Sequence, residues 1–104
     1  MAKFITKLQV VSVDDLANDG RGIWKIHSPF IYFSDILGKE ITVEEGFLTD
    51  FASVPRLPVI YYLFGDTSHR AAVIHDWLFH HHEVCDEHTA NKILLEAMEV
   101  ENAN

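Results

Sequence analysis

Residues 71–98, AAVIHDWLFHHHEVCDEHTANKILLEAM, decide which fold this chain adopts. Apolar residues recur at helical spacing on both sides of a short break at residues 83–85, which is typical of two antiparallel helices joined by a tight turn. We predict a first helix over residues 69–82 and a second helix capped by Asp86. One broad face of the first helix is formed by Ala71, Ala72, His75, Leu78, Phe79 and His82. The predicted buried stripe of the second helix is formed by Ala90, Ile93, Leu94, Ala97 and Met98.

The first 48 residues have a different character, because short runs of apolar and aromatic residues alternate there with turn signals. The connections are too short for parallel crossovers, so we expect antiparallel pairing. The predicted fold class is α+β, with a small N-terminal antiparallel β-sheet packed against a C-terminal two-helix hairpin. The predicted strands are Phe4–Val13, Ile23–His27, Phe30–Phe33 and Ile41–Val43.

A length of 104 residues predicts a single domain over residues 1–104. Pro55 and Pro58 interrupt any long helix between the strands and the hairpin. The predicted divisions are strand-rich 1–48, a proline-containing motif segment 49–66, the helical hairpin 67–100 and a frayed tail 101–104.

The charge balance excludes several functional classes. Sixteen acidic residues against eight basic residues give a formal net charge of −8, which argues against direct nucleic-acid binding. The N-terminus lacks the pattern of a signal peptide, and no apolar run reaches the ~20 residues of a membrane span. Cys85 is the only cysteine, so an internal disulfide and a thiolate-only zinc cluster are excluded. We therefore expect a protein of a reducing cytoplasm, with Cys85 half-buried.

The densest group of polar residues joins the proline-containing segment to the first predicted helix. Asp50, Ser53 and Arg56 are spaced by three, which presents a carboxylate, a hydroxyl and a guanidinium on one side of a helical turn. The alternative, which we favour, is a capping turn in which Asp50 accepts from amides near Ser53 and Arg56 pairs with a carboxylate. His75 and Asp76 lie among apolar neighbours and therefore need polar partners. Successive helical positions diverge by about 100°, so one of the two faces the core and the other a cleft.

Two interpretations of this group stay open. In the first, His75 is a neutral buried imidazole, and Asp50, Arg56, His75 and Asp76 form one structural network. In the second, Asp50, His75 and Asp76 act as catalytic residues or as ligands of a divalent metal. The run His80-His81-His82 is predicted to form a solvated hairpin tip. The alternative is a transition-metal site with Glu83, Cys85, Asp86 and His88, although no standard metal-ligand spacing is present.

Residues 46–56, GFLTDFASVPR, and residues 71–79, AAVIHDWLF, resemble the motifs of a family of small bacteriophage and prophage proteins catalogued as domain of unknown function 1353. The resemblance extends roughly from Trp24 to Met98. It implies a phage or prophage origin without implying an activity. Asn91 stands where the family tends to carry an aspartate, which would weaken a metal site by one charge. As a hydrogen-bond partner of Asp50, His75 or Arg56, an asparagine would keep the geometry.

Two functions are carried forward from these observations. The favoured hypothesis is a phage accessory or virion-associated protein of the tail or capsid that binds a phage structural protein or a host protein, located in the host cytoplasm or the virion. The alternative is a small hydrolase, with Asp50, His75 and Asp76 as catalytic residues and Ser53, Arg56 and Asn91 as binding residues. No cofactor is expected under the first hypothesis, and a divalent metal at His75, Asp76 and Asp50 is an option under the second.

Overall fold

The computed structural model describes residues 1–14, 23–49 and 69–102, and these ranges contain six strands and two helices. The predicted α+β fold class is confirmed. The strands are β1 (Lys3–Phe4), β2 (Val10–Asp14), β3 (Ile23–Ile26), β4 (Phe30–Ser34), β5 (Lys39–Val43) and β6 (Leu48–Thr49). The helices are α1 (His69–Phe79) and α2 (Glu87–Asn102).

The first sheet is antiparallel with the strand order β1-β4-β5. Side chains along β4 alternate between buried and half-buried positions, and Phe30 and Tyr32 point inward. Their partners on β5 are Val43 and Ile41, which are also buried, so the two strands present one apolar face to the core. Gly38 closes the β4–β5 hairpin at φ 70, a left-handed conformation that glycine adopts without a steric penalty.

The second sheet is also antiparallel and has the strand order β2-β3-β6. The expectation of a single sheet is therefore wrong: the described strands form two three-stranded sheets. The chain leaves the second sheet after Ile26 and enters the first at Phe30. Pro29, between them, has no N–H group and holds Ser28 away from the helical region. The segment thus carries the chain from one sheet to the other instead of closing a hairpin.

Helix α1 is enclosed on all sides. Residues 71–76 are buried without interruption, so the helix has a wider buried surface than the predicted one-sided stripe. It packs against α2 and β5. The predicted stripe of α2 is confirmed, because Ala90, Ile93, Leu94, Ala97 and Met98 are all buried. The predicted cap is confirmed as well: Asp86 Oδ1 accepts a hydrogen bond of 2.8 Å from the backbone N–H of Thr89.

Both helices end at residues other than those predicted. Helix α1 ends at Phe79 and not at His82, because Nδ1 of His80 and Nδ1 of His81 bond to the carbonyl oxygens of Asp76 and Trp77, at 2.8 and 2.6 Å. The last carbonyl groups of a helix have no N–H donor within the helix, and these two imidazoles supply the missing donors. His82 is consequently exposed and lies outside the helix.

The predicted frayed tail is wrong for residues 101 and 102, which belong to α2. Glu101 is anchored in the fold, because its carboxylate accepts hydrogen bonds from the backbone N–H groups of Arg70 and Ala71 and from Arg70 Nε. Residues 103–104 lie outside the described residues.

The core lies mainly between the first sheet and the two helices, and it includes Ile26 of the second sheet. Its largest fully buried apolar side chains are Tyr32, Phe30, Ile26, Ile41, Ile74, Leu78, Ile93, Leu94 and Met98. Within the described ranges, neither helix is long and apolar enough to cross a membrane. The prediction of a single domain over residues 1–104 stays a prediction.

Candidate functional site

The predicted site residues fall into two groups. His75, Asp76 and Asn91 lie on the two helices and are described, whereas Asp50, Ser53 and Arg56 lie outside the described residues. The predicted network that joins Asp50 and Arg56 to the first helix therefore stays a prediction.

His75 lies in the middle of α1 and is fully buried. Its Nε2 atom is 2.8 Å from Oδ1 of Asn91 on α2, so the imidazole donates and the amide oxygen accepts. The ring also contacts the ring of Phe79, one helical turn further on, with a centroid distance of 4.2 Å. The hydrogen bond to Asn91 therefore joins the two helices, whereas the contact with Phe79 lies within α1. The position of Asn91 in this pair matches the hydrogen-bond alternative of the sequence analysis.

The amide group of Asn91 shapes the chemistry of the pair. An amide oxygen accepts from Nε2–H without adding a formal charge to the core, so the neutral imidazole with its proton on Nε2 satisfies the contact. A carboxylate at the same position would favour the charged imidazolium instead. Asn91 thus pairs with His75 without requiring a buried ion pair, whose desolvation is costly.

Asp76 is buried as well, on a different side of α1. The expectation that one residue of the His75-Asp76 pair faces a cleft is not met, because the enclosed helix buries both. One carboxylate oxygen of Asp76 lies 3.5 Å from Nδ1 of His80. The Asp76 side chain is 6% exposed and the His80 side chain is 64% exposed, so a buried carboxylate meets a solvent-facing imidazole.

The hydrogen bond of His80 fixes its tautomer. Nδ1 donates to the carbonyl oxygen of Asp76, which leaves Nε2 as the atom that can accept a proton. The edge of the ring contacts Phe47, at a centroid distance of 5.9 Å. His80 is thus an oriented imidazole at the C-terminal end of α1.

The neighbouring aromatic residues tie the same end of α1 to the first sheet. The indole N–H of Trp77 donates to Oε2 of Glu44, which directly follows β5, at 2.6 Å. The ring of His81 stacks on Trp77 with a centroid distance of 3.9 Å and an angle of 16° between the planes. His81 is therefore half-buried, whereas His80 and His82 are exposed as predicted for the hairpin tip.

Cys85 is half-buried in the turn between the helices, as expected. Burial raises the pKa of its thiol, and the nearby carboxylate of Asp86 acts in the same direction. A raised thiol pKa keeps the sulfur protonated and makes it a poor nucleophile. In the part of the chain that the structure describes, no group of three His, Cys, Asp or Glu side chains is arranged to hold a metal ion.

Two carboxylates that the sequence analysis did not single out connect distant elements. Glu96 of α2 accepts from the hydroxyl of Tyr32 at 2.7 Å and from the backbone N–H of Ile36 at 3.0 Å. Glu101 holds the N-terminus of α1, as described above, and is 8% exposed. Both residues lie in a helix rich in acidic residues, so their sequence context resembles that of an ordinary solvated face.

The fold and the site define an α+β protein whose buried histidine joins two antiparallel helices. The chain belongs to the family described as protein of unknown function DUF1353, which matches residues 24–104. No curated protein and no solved structure matches the chain.

Proposed function

We propose that this chain is an accessory or virion-associated protein of a bacteriophage or prophage that works by binding another protein. The observation that carries the proposal is the full burial of His75 together with its hydrogen bond to Asn91. A catalytic imidazole needs access to its substrate, whereas a buried and hydrogen-bonded imidazole stabilises the packing of two helices. In this proposal the motif residues on the helices maintain the fold, and function resides on the surface.

The phage context of the proposal rests on the resemblance of the two motifs. The acidic surface, with a net charge of −8, supports a protein partner over nucleic acid. The proposed partner is a structural protein of the phage or a protein of the host, and the proposed location is the host cytoplasm or the virion tail or capsid.

The test is to detect the chain in purified particles and to identify its neighbours by crosslinking in cells that carry the phage. The expected result is one phage or host protein that crosslinks at defined residues. Absence from purified particles, together with no crosslinked phage or host protein, would refute the proposal.

A second candidate function is a small hydrolase, and the Asp76–His80 pair is the observation that favours it. A buried carboxylate beside an oriented, exposed imidazole is a common acid–base arrangement. The accessible base in this version is His80, with Asp76 as its partner, while Asp50, Ser53 and Arg56 would bind or activate the substrate. A divalent metal is an optional component, with His75, Asp76 and Asp50 as the candidate ligands.

The hydrolase candidate predicts turnover that depends on His80. Peptidoglycan fragments and nucleoside triphosphates are suitable probes, assayed with and without added Mg²⁺ or Zn²⁺. Loss of turnover in His80→Gln, with wild-type turnover in the neighbouring exposed variant His82→Gln, would support it. Absence of turnover by the wild-type chain on every probe would eliminate this candidate for those substrate classes.

A further inference from the structure

The second sheet carries aliphatic side chains on its solvent side. The strand register aligns Val11 of β2 with Lys25 of β3, and Lys25 with Leu48 of β6, so these three side chains form one row across the sheet. Val11 is 44% exposed and Leu48 is 54% exposed. Val13, in the bulge next to this row, is 54% exposed. We call these four residues the Val11–Leu48 face.

The opposite side of the same sheet shows that the register is firmly set. Val10 is paired with Ile26, which is fully buried, and Trp24 is paired with Thr49, which is also buried. Successive residues of a strand point to opposite sides, so Val11 and Leu48 must lie on the outer side. A shift of the pairing by one residue would expose Ile26 to solvent. Because burial of Ile26 fixes the register, Val11 and Leu48 are held on the outer side of the sheet.

Strand β5 of the first sheet follows the more common pattern. The outward residues of β5 include Glu40 and Thr42, which are polar and exposed. An antiparallel sheet with one solvated side usually alternates apolar inward and polar outward residues. Single exposed aliphatic residues are normal on protein surfaces, but a group of neighbouring ones on one side of a sheet is typical of an interaction site.

The charge of the face selects its occupant. Lys25 lies between Val11 and Leu48, so the row presents one cation flanked by aliphatic side chains. Neighbouring strands are ~4.8 Å apart, and the three side chains therefore fall within one small contact patch. A complementary surface has an Asp or Glu surrounded by aliphatic side chains, because a carboxylate pairs with the ammonium group while the apolar atoms are removed from water.

The same charge disfavours a second copy of this chain. A two-fold contact through the face would bring two Lys25 side chains together, and each chain carries a net charge of −8. Both effects are repulsive.

Two residues of the face lie outside the family match. The match begins at position 24, whereas Val11 and Val13 belong to β2, which precedes it.

We propose that the Val11–Leu48 face binds a partner protein through a surface in which aliphatic side chains surround one carboxylate. This inference rests on the proposed binding function and specifies its site and the chemistry of the partner.

The test uses the intact chain and a displayed library of random 12-residue peptides. Peptides selected on the wild-type chain are expected to be enriched in Asp or Glu flanked by Leu, Ile or Val. Selection on Lys25→Glu is expected to enrich Lys or Arg at the same place. The selected wild-type peptides should lose at least tenfold in affinity for Lys25→Glu and for Leu48→Ser. Leu95→Ser, which alters an exposed leucine of α2, should bind them as the wild-type chain does.

Three results would overturn the inference. The first is no enrichment above background, and the second is selected peptides that bind Leu48→Ser and Lys25→Glu with unchanged affinity. The third is a wild-type dimer in sedimentation that Leu48→Ser dissociates, because the occupant would then be a second copy. Failure of this inference can be told apart from failure of the proposed function. If a partner is crosslinked in cells and binds Lys25→Glu with wild-type affinity, only the Val11–Leu48 face is refuted. Peptides that select as expected, with no partner in cells, refute the cellular role alone.

Discussion

Replacing Asn91 by alanine removes the acceptor of the hydrogen bond that joins the two helices. The Nε2–H group of His75, a fully buried side chain, then loses its 2.8 Å partner. A buried donor deprived of its acceptor destabilises a protein by about 1–3 kcal/mol. For a domain of this size, each kcal/mol lowers Tm by about 4–8 °C, so the expected decrease for Asn91→Ala is roughly 4–24 °C.

The measurement is urea denaturation with parallel thermal melting, followed by far-UV circular dichroism. Lys92→Ala is the matched control, because Lys92 is the next residue of α2 and is exposed. An exposed substitution of this kind changes the free energy of unfolding by less than about 0.5 kcal/mol. Equal stability of Asn91→Ala and Lys92→Ala would refute the structural assignment of the pair.

A double-mutant cycle separates the pair from its surroundings. His75→Ala alone is expected to reduce the free energy of unfolding by about 1–3 kcal/mol, because it also leaves Asn91 without its donor. If the two side chains interact, the double variant loses less stability than the sum of the single variants, by about 0.5–3 kcal/mol. Additive losses would show that the 2.8 Å contact contributes no coupling.

Three further predictions concern the carboxylates of Glu101, Glu96 and the capping residue Asp86. Glu101→Ala should destabilise the fold by about 1.5–3 kcal/mol in urea denaturation, because a charged acceptor of backbone N–H groups is lost. The control Glu99→Ala changes an exposed residue of the same helix and should leave stability nearly unchanged. Similar stabilities of the two variants would contradict the proposed role of Glu101. Tyr32→Phe should cost about 0.5–1.5 kcal/mol through loss of the hydroxyl bond to Glu96, and an unchanged urea midpoint would argue against that bond. Hydrogen bonds from the side chain and the backbone of Thr89 lower the pKa of Asp86 below its ordinary value of 3.8. The Asp86 carboxylate therefore stabilises the fold fully above pH 3.8, and this stabilisation is lost as the pH falls through the lowered pKa. Asp86→Asn keeps a capping side chain and should lose less stability on acidification than the wild-type chain, and parallel acid profiles would disprove the capping explanation.

The features that the sequence predicts correctly are those with local signals. The stripe of α2 and its Asp86 cap depend on residues within one or two helical turns of each other. His75 is predicted to need a partner because it lies among apolar neighbours, and Asn91 is among the positions proposed for it. The apolar neighbours of His75 and the family motif around Asn91 therefore point to the two residues, whereas their contact is seen only in the structure.

The features that the sequence does not predict depend on long-range pairing. The division into two sheets requires β1 to pair with β4 and β3 to pair with β6, and strand periodicity contains no information on such partners. Helix α1 ends where the imidazoles of His80 and His81 bond to backbone carbonyl groups. These side-chain bonds compete with continuation of the helix, and helix periodicity does not reveal them. Glu101 resembles a solvated tail residue until its partner, about 30 positions earlier, is known.

The central claim is that the pair of His75 and Asn91 between the helices maintains the fold while the Val11–Leu48 face binds the partner. The most direct test compares the affinity of one selected acidic peptide for Asn91→Ala and for Lys25→Glu, at a temperature where both variants are folded. We predict wild-type affinity for Asn91→Ala, despite its lower Tm, and at least a tenfold loss for Lys25→Glu. Wild-type affinity for Lys25→Glu combined with a loss for folded Asn91→Ala would contradict the claim.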